Sequence, residues 1–135
     1  MKGRIPLIRY IVLGLILPIY SAQAYEPKRA LNNLAHEFAE CAAFYSLSSR
    51  IFEAQEPQLA KRTDQAAMDA MVYSNALTSE KLTNARVEMA VKSMIKDMDN
   101  DVSNVSIILN KYSDSCGQAM TDPKARMYFW LEKQD

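Results

Sequence analysis

Beyond residue 24 the chain holds a single glycine, Gly117, and three prolines, Pro27, Pro57 and Pro123. With so few backbone breakers, long stretches run without anything to interrupt a helix. The abundance of Ala, Met, Leu, Glu, Lys and Gln favours helix over the same stretches. No segment alternates apolar and polar residues over a useful length, so no strands are expected. There is no internal repeat and no low-complexity tract. The expected fold is all-α, a small helical bundle of three to four helices.

The helices are placed by their apolar spacing. Leu31, Leu34, Phe38, Cys41, Tyr45, Ser48 and Phe52 step by three and four and share one face. Phe44, Leu47 and Ile51 make a second stripe on the same segment, so this helix should be covered on two sides. Its start is expected near Pro27 and its end near Phe52, because the residue before Pro57 avoids the helical region. A second helix runs from about Gln58 to Leu77, with small alanines that admit a close neighbour. Thr78 and Ser79 suit a break and an N-cap, although nothing in residues 77–80 forbids a continuous helix. The third helical region carries Val87, Val91, Met94, Met98, Val102, Val105, Leu109, Tyr112 and Cys116 as one seam. A kink or short loop is expected around Asp97, Asp99 and Asp101, which compete with helical hydrogen bonding. Asp122-Pro123 restarts a short terminal helix.

The two cysteines, Cys41 and Cys116, each lie on an apolar stripe and can face one core. They are too far apart in sequence for a C-x-x-C redox pair, so a structural disulfide is expected between them. The N-terminus points to the compartment that permits it. Lys2, Arg4 and Arg9 precede an apolar run from Tyr10 to Tyr20, and Ala22-Gln23-Ala24 offers an A-x-A cleavage site. That run is shorter than the roughly 20 residues a membrane-spanning helix needs. Residues 1–24 are therefore expected to be a cleaved secretory signal peptide, and residues 25–135 a single helical domain, periplasmic or secreted. Intact-mass measurement of protein from that compartment should show a chain beginning at Tyr25; a mass retaining Met1 would overturn cleavage.

All 16 acidic residues but only 13 of the 16 basic ones lie after residue 24, which leaves the mature chain mildly acidic with mixed signs. This argues against nucleic acid and against stable association with an anionic membrane.

The residues that could carry chemistry are few. His36-Glu37-Phe38-Ala39-Glu40 departs from the H-E-x-x-H zinc signature at Glu40, and His36 is the sole histidine. His36 falls opposite the core stripe, with Glu37 and Glu40 expected as solvated surface carboxylates beside it. Asp97-Met98-Asp99-Asn100-Asp101 resembles the opening of a calcium loop, but Val102 and Ile108 stand where an EF-hand needs glycine and glutamate. Seven methionines follow Met1, and thioethers bind Cu(I), yet methionine at helical spacing is usually core filler. No catalytic residue, metal site or cofactor is expected. The terminal segment places Tyr128, Phe129 and Trp130 on successive positions beside Arg126. They cannot all face inward, which makes these four residues a candidate interface. The expected function is a non-enzymatic interaction protein of the inhibitor, immunity or chaperone type, whose partner is another protein of the compartment. The alternative is a methionine-based copper carrier or a carrier of a small apolar ligand.

Overall fold

The computed structural model describes residues 26–133 and contains five α-helices and one short 3₁₀ turn among them. They are α1 (Pro27–Phe52), α2 (Pro57–Leu77), α3 (Glu80–Asp97), the 3₁₀ turn Val102–Asn104, α4 (Val105–Thr121) and α5 (Pro123–Glu132). The expected signal peptide lies outside the described residues. No helix among them is long and apolar enough to cross a membrane.

The three prolines open three helices, α1, α2 and α5, where the missing N–H costs nothing. The chain does break at residues 78–79. The Ser79 hydroxyl accepts from the Leu82 amide at 3.1 Å, and Glu80 follows in the first turn of α3. Between α3 and α4, Asp99 and Asn100 take up left-handed backbone conformations at φ 53° and 59°, which short polar side chains tolerate best. Asn100 donates back to the Ile95 carbonyl at 3.0 Å and closes the end of α3. The Asp101 carboxylate then accepts from the Ser103 amide at 2.9 Å and starts the 3₁₀ turn. Hydrogen bonding from the backbone and side chain of Ser103 holds the Asp101 carboxyl below its ordinary pKa. Across the loop, Lys111 donates to Asp97 at 2.9 Å.

This loop accounts for two corrections. The bundle has five α-helices where three to four were expected, because the third helical region divides into two. Val102, placed on the core seam by its spacing, is 61% exposed, because it opens the 3₁₀ turn after the left-handed pair instead of continuing a helix; Val105, Leu109, Tyr112 and Cys116 keep the seam beyond it. Ile108, on the α4 side, is fully buried.

Helix α1 is the axis of the molecule and packs against each of the other four α-helices. Ala35, Ala39, Ala42 and Ala43 on α1 and Ala67 and Ala70 on α2 are buried, and their small size lets α1 and α2 lie close. At the junction of α1, α2 and α3 the buried Ser74 hydroxyl donates to the Ala35 carbonyl at 2.8 Å and pairs with Thr83 Oγ1 at 2.9 Å. The larger core cluster gathers Phe44, Met94, Met98, Ile108 and Tyr112 around a disulfide between Cys41 and Cys116. That bond joins α1 to α4 across 75 residues, with the two Cα atoms 5.4 Å apart. A smaller cluster of Leu34, Phe38 and Ala119 receives Met127 and Trp130 from α5.

Candidate functional site

Helix α5 has no fully buried residue, so something other than a deep apolar face must hold it. The tie is polar. The Arg126 guanidinium donates through Nε to both oxygens of Glu37 at 2.9 Å and through Nη2 to Oε1 at 2.6 Å. Trp130, one turn further on, donates from Nε1 to Glu37 Oε2 at 2.7 Å. The two charged side chains are 8% and 15% exposed, so the pair is largely withdrawn from water. Planar guanidinium against carboxylate fixes direction as well as distance, which sets the rotation of α5 on α1.

This arrangement overturns the reading of Glu37 as a solvated surface carboxylate. Glu37 falls three residues after Leu34 and four before Cys41, inside the core stripe rather than beside it. A carboxylate at such a position needs a buried partner, and that requirement is the signal the sequence held, although nothing local names Arg126 as the partner. His36 does face outward, 3.7 Å from Glu40. Among the described residues no group of three or more His, Cys, Asp or Glu side chains is placed to hold a metal ion. The methionines divide between core and surface. Met94 and Met98 are buried, Met71, Met120 and Met127 pack at the edge of the core, and Met68 and Met89 are exposed.

With Arg126, Met127 and Trp130 turned inward, Tyr128 and Phe129 turn outward at 54% and 43% exposure. The candidate interface residues therefore separate into an anchoring pair, Arg126 and Trp130, and an accessible pair, Tyr128 and Phe129. Phe129 is held in place from two sides. The Arg126 guanidinium carbon lies 4.1 Å from its ring centroid, and the Trp130 ring meets it edge-on at 5.3 Å.

Phe129 forms one rim of a groove of about 580 Å³ between α4 and α5. Gly117 and Ala125 line the groove without bulk, and Asp114 and Asp122 border it. In the sequence Gly117 stands out only by its rarity. A Cβ added there would meet nothing within 4 Å, so no packing within the chain requires glycine at this point. Glycine inside a helix costs about 0.5–1 kcal/mol relative to alanine. Its effect is to leave the α4 backbone open to close approach from the groove.

No family model, curated protein or solved structure matches this chain.

Proposed function

We propose that this is a secreted, non-enzymatic interaction protein that binds a partner protein through the α4–α5 groove. The observation that carries the reading is the exposed Phe129 ring, held over the ion-paired Arg126 on the rim of the groove, with exposed Tyr128 next to it in sequence and Gly117 facing open space. Ordered aromatic rings next to a surface that permits close backbone approach are what a helix-in-groove contact uses. The bordering carboxylates of Asp114 and Asp122 select the occupant. It is an amphipathic helix of the partner with an apolar stripe and basic residues flanking it. Secretion rests on the N-terminal sequence features and accords with the disulfide.

The test uses three proteins: the wild type, Tyr128→Ala and Gly117→Leu, each carrying a photo-crosslinking residue in place of Lys124. Tyr128 is exposed and Gly117 faces open space, so both variants should melt within about 2 °C of the wild type or above it. The wild type should crosslink to one discrete partner through a basic amphipathic helix, and both variants should lose at least about tenfold in yield, the scale of a hot-spot residue. Undiminished crosslinking by stable Gly117→Leu would show that the groove is not the docking site.

A further inference from the structure

A second concavity lies away from α5, where the last turns of α1 meet the first turns of α2 and α4. It has a volume of about 200 Å³ and is walled by Phe44 and Phe52 of α1, Leu59 of α2 and Leu109 of α4. Ser48 lines it one turn from each phenylalanine, is 2% exposed, and its Oγ has no hydrogen-bond partner. Buried hydroxyls are nearly always paired, because an unmade hydrogen bond costs more than a made one returns. Two of the hydroxyls nearby are committed elsewhere, and that of Ser113, which also lines the cleft, lies on an exposed residue. Ser49 donates to the Ala60 carbonyl at 2.8 Å, and Thr63 donates to the carbonyls of Leu59 and Ala60 at 3.1 and 3.0 Å.

We infer that this cleft binds a small neutral molecule, a single ring or a short chain, that carries one hydroxyl or carbonyl group bonded to Ser48. Size, charge and polarity each limit the ligand. An apolar cavity of roughly 150 Å³ is enough to hold benzene, so this one takes a ring with one or two substituents. No charged side chain lines the cleft, so an ionised ligand would lose its hydration without compensation. The single unpaired buried hydroxyl calls for one polar group and no more. Tyr45 also borders the cleft, and burial there raises its phenol pKa, in keeping with a poorly hydrated wall. The cleft shares Ser113 with the rim of the α4–α5 groove but no residue with α5, and it stands whether or not the groove binds a partner.

The experiment titrates the oxidised protein with p-cresol and with toluene, which differ by one hydroxyl, and follows amide shifts by NMR. Saturable shifts are expected around Ser48, Leu59 and Leu109, with p-cresol half-saturating at roughly 0.1–5 mM and toluene about 5–10-fold more weakly. Ser48→Ala should lower p-cresol affinity to the toluene level and leave toluene binding in place. The variant should melt no lower than the wild type, because it removes a buried group with no partner. Three results would each overturn the assignment: no saturable shift with p-cresol up to about 10 mM, shifts that map elsewhere, or equal p-cresol affinity in wild type and Ser48→Ala.

Discussion

Glu37→Gln is expected to lower stability by about 3–5 kcal/mol, a large share of the roughly 5–15 kcal/mol that holds a domain of this size. The cost comes from what is left behind rather than from what is removed. The Arg126 side chain is 15% exposed, and its guanidinium would keep its charge with no carboxylate to meet it. The Trp130 indole N–H would face a weaker, neutral acceptor. Chemical denaturation followed by far-UV dichroism measures the loss. The fluorescence of Trp130, the only tryptophan, reports whether α5 has shifted. Replacing both partners by apolar residues, Glu37→Leu with Arg126→Met, should recover part of the stability, because an intact buried pair is worth far less than a broken one costs, while the Trp130 indole N–H loses its acceptor. A loss under about 1 kcal/mol for Glu37→Gln would mean that the pair is solvated and that α5 is not oriented by it.

The second large effect is the disulfide. Replacing Cys41 and Cys116 together by serine should cost about 4.5 kcal/mol, the chain-entropy value for a closed loop of 75 residues. Both sulfurs are buried in the larger core cluster, so the serine hydroxyls add a desolvation penalty. Urea titration of oxidised wild type, reduced wild type and the double variant separates the two contributions. Reduced wild type loses the cross-link while keeping the sulfur atoms. If the oxidised and reduced proteins unfold at the same denaturant concentration, the bond contributes nothing to stability.

Most of the helical architecture could be read from spacing and punctuation. Pro27, Pro57 and Pro123 mark the starts of α1, α2 and α5, and Ser79 and Asp122 cap the helices they precede. The pairing of Cys41 with Cys116 followed from two cysteines on two apolar stripes. The seam was misread where a few residues leave the helical backbone. Residues 99–100 turn left-handed and Val102 opens a 3₁₀ turn, which takes Val102 out of the seam, while Val105, Leu109, Tyr112 and Cys116 beyond it still pack in the core. The candidate site was legible in part. An aromatic run on successive helical positions must expose something, and Tyr128 and Phe129 are exposed. Which ring turns outward depends on Glu37, a residue 89 positions before Arg126, and no local pattern carries that information. Glu37 was misread because a neighbouring histidine suggested a motif, while its place in the stripe between Leu34 and Cys41 was the stronger signal. The groove at Gly117 and the cleft at Ser48 exist only after α4 has met α5 and α1.

Glu37 and Cys41 stand one turn apart on α1, and their partners lie 89 and 75 residues further along the chain. This spacing sets an order of events for a polypeptide that emerges amino end first. Through the synthesis of α2 and α3, α1 carries an unmatched carboxylate and an open thiol on the face that will become the core. The thiol is answered only when residue 116 arrives, and the carboxylate only when residue 126 does. No shorter piece of the chain resolves both: a product that stops before residue 116 carries an open thiol and an unmatched carboxylate on one helical turn, and one that stops between 116 and 126 still carries the carboxylate.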